Sequence, residues 1–172
     1  MLSLQYPLGA GGPALPPVRF QIFTPSLGHL AAETAFRLET LPNNDGKRDA
    51  SLTSFEITTK RAGAQTTKGR FVRVEGPKNH LIHLAEVQVF SGKDNVARNA
   101  KASQSTTGYG GEASRAVDGD TSGEYDKNSV SHNADKDPKP YWQVDLEKEF
   151  PLDRIVVWNR ADGVERRIVG AS

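Results

Sequence analysis

The chain has 172 residues, enough for one domain of ordinary size or for one domain and part of a neighbour. Its 22 Lys and Arg nearly balance 21 Asp and Glu, and a net charge of +1 argues against non-specific nucleic-acid binding and against polybasic attraction to a membrane surface. The sequence has no cysteine, which excludes disulfides and thiolate metal sites, and it has no apolar run long enough to span a membrane.

The first 16 residues are rich in Gly, Pro and Ala, and we expect them to form a flexible lead-in. This start lacks basic residues, and Pro7 interrupts its apolar run, so it does not resemble a signal peptide. The chain is therefore either cytoplasmic or a piece of a longer exported protein, and we favour the second interpretation.

Residues 17–68 form a β-rich segment with strand patterns at 18–23, 34–41 and 52–59. The run Pro42–Gly46 predicts a turn between the second and third of these strands. Residues 62–69 have no apolar period and are expected to be a linker. Because three strands are too few for a closed sandwich, we interpret this segment as the tail of a preceding β domain plus that linker.

A second set of strand patterns begins at residue 69, and we expect residues 69–172 to form a separate domain. The patterns cover residues 71–75, 84–90, 141–146 and 153–158. Trp142, Val144 and Leu146 alternate onto one face, which predicts that they are core residues. The polar stretch 95–139 is long for an irregular segment, and such segments are often functional or organised by a metal. The pattern predicts an all-β fold, an antiparallel β-sandwich.

An acidic loop lies at Asp118-Gly-Asp120-Thr-Ser122-Gly123. Alternating carboxylates around a glycine supply the oxygens that Ca²⁺ prefers. An EF-hand is not indicated, because Ser129 stands where the bidentate Glu belongs and no amphipathic helix flanks the loop. From spacing alone, a calcium loop of another type and a solvated turn with self-capping Asp side chains both remain open.

A cluster of donor groups follows the last predicted strand, at Arg160-Ala-Asp162 and Arg167. Guanidinium forks and a histidine such as His132 match the hydroxyls of a sugar. The alternative from the residues alone is a surface ion-pair loop, which would contribute little stability. His29, His80 and His83 have no partner pattern and receive no role.

The second half of the chain resembles the discoidin or coagulation-factor 5/8 type C superfamily of galactose-binding-like jelly-roll sandwiches, and within it the F-type lectin (fucolectin–tachylectin–pentraxin) branch. The likeness covers residues 69–170 approximately. It is carried by these motifs: Asn95-Val-Ala97, Lys101–Ser105, Ala116-Val-Asp-Gly119, Ser129–His132, Tyr141–Leu146 and Asn159–Asp162. Residues 69–75 and 84–90 also resemble the closing strands of discoidin-type domains.

This resemblance implies a sugar site made of His132, Arg160, Asp162 and Arg167. It also implies a structural Ca²⁺ held by oxygens of four residues: Arg115 (main chain only), Asp118, Asp120 and Ser129. The interval of 27 residues from His132 to Arg160 is longer than in the family motif, which indicates a lengthened loop at 135–140. A deletion after Asp162 would make Arg166 the equivalent of the last basic residue.

Two departures from the family pattern bear on activity. Gly163-Val164 stands where many members have adjacent cysteines whose disulfide packs on the sugar, so Val164 is left as the aliphatic contact. The family domain also continues beyond this point with closing strands and further calcium oxygens, so we expect the sandwich to be incomplete at its C-terminus.

The resemblance implies a non-catalytic, calcium-supported module that binds a fucose-type glycan, outside the cytoplasm and alongside other domains of a longer protein. The alternative is a structural or adhesion domain of discoidin type whose sugar site has decayed and which contacts proteins. A hydrolase is not indicated, because Asp118 and Asp120 lie two residues apart in one loop and no glycine-framed serine occurs.

Overall fold

The computed structural model describes residues 2–5, 19–23, 30–32, 36–37, 54–58 and 67–169. Within these ranges the chain consists of β-strands joined by loops and three short 3₁₀ helices. The strands are β1 Leu2–Gln5, β2 Arg19–Phe23, β3 Leu30–Ala32, β4 Phe36–Arg37, β5 Ser54–Thr58, β6 Thr67–Glu75, β7 His83–Ser91, β8 Asp94–Asn95, β9 Lys101–Gln104, β10 Ser131–His132, β11 Tyr141–Leu152 and β12 Arg154–Asn159. The 3₁₀ helices are Ala113–Val117, Tyr125–Lys127 and Glu165–Val169.

The strands build two sheets. In the described part of the chain, the larger sheet has the order β4-β1-β2-β6-β11-β9, with β3 paired to β2, and the smaller has the order β10-β7-β12-β5, with β8 paired to β7. Neighbours are antiparallel except for β1 and β4, which are parallel. The predicted all-β antiparallel sandwich is confirmed.

The predicted strands agree with the observed ones at their centres and differ at their ends. Strand β6 begins at Thr67, inside the predicted linker, and β11 runs on to Leu152, beyond the predicted end at residue 146. The reason is mutual pairing, since Thr67 lies opposite Leu152 and Gly69 opposite Phe150 beyond a register shift. Apolar periodicity does not predict these strand ends, because the residues there are kept in the strand by pairing with the partner strand and not by an alternating apolar face.

The N-terminal strands pair with the same two sheets. Phe20 of β2 lies opposite Val74 of β6, and Ile57 of β5 lies opposite Ile155 of β12. Residues 2–5 form β1 within the predicted lead-in, and the remainder of that lead-in, the turn 42–46 and most of the strand predicted at 34–41 lie outside the described residues. The division of the chain at residue 68 stays a prediction.

The core lies between the sheets and is built from their inward-facing apolar residues. Val72 and Val74 face Val87, Val89 and their neighbours across the interior, all without exposed surface. Trp142, Val144 and Leu146 are buried as their alternation predicts. No helix in the described ranges is long and apolar enough to cross a membrane.

Trp142 connects this core to the segment that carries the acidic loop. Its indole is 1% exposed, and Nε1 donates a hydrogen bond to the carbonyl oxygen of Ala113 at 3.0 Å. Ala113 begins the 3₁₀ helix that ends at Val117, directly before Asp118. The packing of one core side chain therefore sets the position of the loop that follows.

Trp142→Phe should lower the free energy of unfolding by about 2–3 kcal/mol, because it leaves a cavity and strands the buried Ala113 carbonyl. The matched control is Tyr141→Phe, a change in the adjacent half-buried residue that should cost less than about 0.5 kcal/mol. Urea unfolding monitored by circular dichroism measures both. Equal losses for the two variants would contradict this role of the indole.

Candidate functional site

Strand β7 brings the predicted sugar-site residues together because it pairs with a strand on each side. Ser131 of β10 and Asn159 of β12 both lie opposite Leu84. Both strands run antiparallel to β7, so the next residue of each, His132 and Arg160, lies towards His83. Two residues 28 positions apart in sequence thus reach the same end of the smaller sheet.

A pocket of about 250 Å³ opens at this end. Three predicted residues line it: His132, Arg160 and Arg167, the last carried by the 3₁₀ helix Glu165–Val169. The other lining residues are Leu81, Tyr109, Tyr125 and Asp135. The imidazole and the two guanidinium groups therefore face one cavity.

The environment of His132 fixes its ring as a hydrogen-bond acceptor towards the pocket. The residue is 3% exposed, and Nδ1 lies 2.6 Å from the carbonyl oxygen of Asn133. A carbonyl only accepts, so Nδ1 carries the proton and Nε2 of the neutral ring has a free lone pair. Burial and the positive charges of Arg160 and Arg167 lower the pKa of His132 and so favour this neutral form.

Asp162 positions Arg160 without lining the pocket itself. Its Oδ1 accepts a hydrogen bond from Nε of Arg160 at 2.6 Å, and its Oδ2 accepts one from the backbone N–H of Tyr125 at 3.2 Å. Burial works against the carboxylate, but these two bonds outweigh it and lower the pKa of Asp162. The Arg160 guanidinium also lies 4.7 Å above the Tyr125 ring, so it is held from two sides.

Tyr109 forms an aromatic wall that the sequence interpretation missed. Its side chain is 60% exposed, its ring centroid lies 4.8 Å from that of His132, and its hydroxyl is hydrogen-bonded to Asp135. Its backbone has φ +53°, an uncommon conformation for an aromatic residue, and its carbonyl accepts a 2.6 Å bond from the Tyr125 hydroxyl. The sequence signal was an aromatic residue set among Gly108, Gly110 and Gly111 in a polar segment.

The loop after His132 is anchored by a buried acid. Asp137 accepts hydrogen bonds from the hydroxyls of Ser105 (2.5 Å) and Thr106 (2.6 Å) and from the backbone N–H of Lys139 (3.0 Å). Burial alone would raise the pKa of Asp137, but these three donors stabilise the carboxylate more strongly, so the net effect is a lowered pKa. The predicted lengthened loop is thus fixed in place and presents Asp135 at the pocket rim.

The carboxylates of the acidic loop cap their own backbone. Oδ1 of Asp118 accepts the N–H of Asp120 at 2.8 Å, and Oδ1 of Asp120 accepts the N–H of Ser122 at 2.9 Å. The Ser129 hydroxyl donates to the carbonyl of Glu124, and Arg115 lies in the 3₁₀ helix before the loop. In the described residues no three His, Cys, Asp or Glu side chains are arranged to hold a metal, so a cation here would depend largely on backbone oxygens.

Glu86 of β7 is a second residue that sequence reasoning missed. It is fully buried, and its Oε2 accepts the N–H of Gly119 inside the acidic loop at 3.0 Å, while Oε1 has no partner among the described residues. Burial, reinforced by the charges of Asp118 and Asp120, raises the pKa of Glu86 to about 7. A buried carboxylate oxygen without a donor fits a site for a cation.

Known proteins match the part of the chain that carries this site. Residues 115–172 match the family model described as a NedA-like, galactose-binding domain of the F5/F8 type C group. Fucolectin-1 of Anguilla japonica is 34% identical over 84 residues, covering 46% of this chain and 47% of that protein. Fucolectin of Anguilla anguilla is 33% identical over 84 residues, covering 46% of this chain and 52% of that protein.

The matched segment spans about half the length of these relatives. No solved structure matches the chain significantly. The resemblance read from the sequence motifs is confirmed at the level of the superfamily and of its fucolectin branch.

Gly111→Ala should displace His132 and lower the free energy of unfolding by about 1–3 kcal/mol, because a Cβ at residue 111 would lie 2.6 Å from the backbone nitrogen and Cβ of His132. Gly110→Asn is the matched control. Residue 110 faces open space at φ +69°, a conformation that Asn tolerates, so this variant should lose little stability. Chemical denaturation and the His132 ring signals in NMR spectra measure both; equal stabilities would contradict the close approach.

Proposed function

We propose that the chain is a non-catalytic glycan-binding module with a fucose-type preference, because residues 115–172 match a galactose-binding domain model of the F5/F8 type C group and part of the chain is similar to fucolectins. The pocket of His132, Arg160 and Arg167 is the proposed sugar site. We place the protein outside the cytoplasm and in a longer polypeptide on the same resemblance.

The observation that carries this proposal is the complementarity between the pocket and a sugar hydroxyl. A hydroxyl donates one hydrogen bond and accepts others. Nε2 of neutral His132 offers an acceptor, and the guanidinium groups of Arg160 and Arg167 offer only donors. Vicinal hydroxyls can therefore donate to the histidine while their oxygens accept from the two arginines.

The apolar side of the pocket supports the same ligand class. Leu81 and the rings of Tyr109 and Tyr125 line the cavity, and a pyranose ring presents C–H groups on one face that pack well on such surfaces. Val164 does not line the pocket, so the aliphatic contact that the resemblance left to it falls instead to these residues.

The size of the pocket fits a terminal sugar. Its volume of about 250 Å³ lies below the ~300–1,000 Å³ of sites that enclose a drug-sized ligand. One ring held by a few hydrogen bonds on an open surface binds weakly, so useful affinity would come from several copies acting together.

We further propose that Ca²⁺ supports the fold of the acidic loop. Oxygens of Arg115 (main chain), Asp118, Asp120 and Ser129 are the predicted ligands, and Glu86 adds a buried carboxylate that already contacts Gly119 of this loop. The bound cation would give Oε1 of Glu86 a partner and would offset the effect of burial that raises the pKa of this carboxyl group. It would stabilise the segment leading into β10 and His132, and we assign it no contact with the sugar.

Arg160→Ala and Arg167→Ala should each abolish measurable binding of fucosylated glycans, since losing a charged hydrogen bond costs about 1.5–3 kcal/mol, or roughly 10–100-fold in affinity. The matched control is Arg154→Ala on β12, whose guanidinium lies 4.0 Å over Phe90, and it should bind normally. A glycan array probed with the chain displayed on streptavidin tetramers gives the measurement. Capture of a protein partner with no glycan signal from the wild type would favour the adhesion alternative.

Calcium should raise the melting temperature of the wild type, and EDTA should reverse the shift. At a hundredfold excess over Kd the gain is about 2.7 kcal/mol. Glu86→Gln should abolish most of this gain. Without calcium this variant should be as stable as the wild type or more so, because a neutral amide avoids the cost of burying a charged carboxylate. Differential scanning calorimetry decides: a wild type indifferent to calcium, or a full shift in Glu86→Gln, contradicts the proposed ligand set.

A further inference from the structure

His83, which the sequence interpretation left without a role, lies directly behind the pocket. It is the first residue of β7 and lies opposite His132 of β10 in the strand register. The two ring centroids are 4.3 Å apart with the planes tilted by 42°. Since Asn159 of β12 lies opposite Leu84, the next residue, Arg160, reaches His83 from the other side.

The ring of His83 is surrounded by groups that disfavour its protonation. It is 1% exposed, and neither Nδ1 nor Nε2 has a hydrogen-bond partner among the described residues. The charged and titratable groups that face it are His132 on β10, Arg160 after β12, Arg167 on the C-terminal 3₁₀ helix and His80 in the loop before β7. Burial, with these groups acting in the same direction, lowers the pKa of His83 to about 2.

We propose, building on the sugar site proposed above, that His83 is a positioning residue that makes glycan binding dependent on pH. Its neutral ring supports His132 and the two arginines in the binding arrangement. Acid favours an open arrangement in which the 3₁₀ helix Glu165–Val169 moves aside and the ring reaches water.

The direction of this dependence follows from where the proton can bind. In the closed pocket His83 stays neutral, whereas an imidazole exposed to water has a pKa of about 6.5. Above that pH the two arrangements bind the same number of protons, and the closed one is undisturbed. Below it the open arrangement takes up one more proton, so its population rises relative to the closed one by about tenfold per pH unit.

The moving element is the one that carries Arg167. The 3₁₀ helix Glu165–Val169 lies against the loop before β7, where the ring of His80 is hydrogen-bonded to the backbone of Ile168. Displacement of this helix would take Arg167, which lines the pocket and acts electrostatically on His83, away from both. His132 adds a separate effect, since its own protonation removes the Nε2 acceptor. Asp135, which faces His132, favours that protonation.

The test compares binding of a multivalent α-L-fucosyl conjugate by the wild type and by His83→Phe from pH 7.5 to 4.5, using biolayer interferometry. Phenylalanine fills the same space and cannot titrate. Each protein's affinity is compared with its own value at pH 7.5, and we expect the loss of affinity on going to pH 5 to be smaller for His83→Phe than for the wild type, by up to about thirtyfold, because one of the two linked protons is absent. His83→Gln, a second neutral variant, should behave in the same way if Phe prevents folding.

Arg154→Ala is the control, because Arg154 lies opposite Phe90, at the other end of β7 from His83; it should keep the wild-type pH profile. Parallel pH profiles for the wild type and both His83 variants would overturn the proposal.

The failure of glycan binding itself is separately visible. If the wild type binds no fucosyl conjugate at any pH, the proposed function fails. The proposed coupling can then still be measured by NMR: the signals of the His83 ring and of the Arg167 amide should shift together as the pH falls below 6.5. A His83 ring that stays neutral, with an unmoved Arg167 amide, down to the pH of global unfolding overturns the role of His83.

Discussion

The double pairing of β7 is the constraint on which the site depends. Leu84 lies opposite Ser131 on one side and Asn159 on the other, and both partner strands leave β7 in the same direction. A shift of either strand by one residue would turn His132 or Arg160 to the opposite face of the sheet. The register is specified by burial, because Leu84, Ala85 and Val87 have no exposed surface. The packing of the hydrophobic core thus fixes the positions of His132 and Arg160, although neither is a core residue.

The same strand also explains why polar side chains occur in the interior at this end of the molecule. Residues 83–87 are buried without alternation, since one face of β7 meets the core and the other is covered by the 3₁₀ helix Ala113–Val117 and its neighbours. Natural cores rarely keep a histidine without a hydrogen bond or a carboxylate with one free oxygen, because each costs several kcal/mol unless it is paired or neutralised. His83 and Glu86 are such exceptions, and each borders a proposed binding region. This coincidence is typical of sites where stability is given up for function.

The sequence predicted those features that local chemistry determines. Alternating apolar residues identified β7, β11 and β12 and the burial of Trp142, and the motif residues His132, Arg160 and Arg167 proved to share one pocket. Other features depend on pairing between distant strands and were missed. The role of His83 comes only from lying opposite His132, and Glu86 is near the acidic loop only because β7 and the loop meet in space. No spacing along the chain encodes either contact.

Tyr109 was missed for a different reason. A tyrosine between glycines suggests a flexible turn, and its value as a wall depends on a left-handed backbone held by a hydroxyl from Tyr125 and by Asp135 across the rim. The glycines on either side matter for close approach, since residue 111 passes within contact distance of His132.

The residues at the two proposed sites come from strands that are far apart in sequence. Strand β7 lies between β10 and β12, which both come later in the chain, and β6 lies between β2 and β11. Glu86 shows the chemical consequence, because the buried carboxylate at the acidic loop comes from a strand on the N-terminal side of that loop. Strand pairing and burial place side chains in space whatever their order along the chain, so a site can keep its composition when its parts are connected differently. The residues at the proposed cation and sugar sites are therefore better compared by their positions in the sheets than by their positions in sequence.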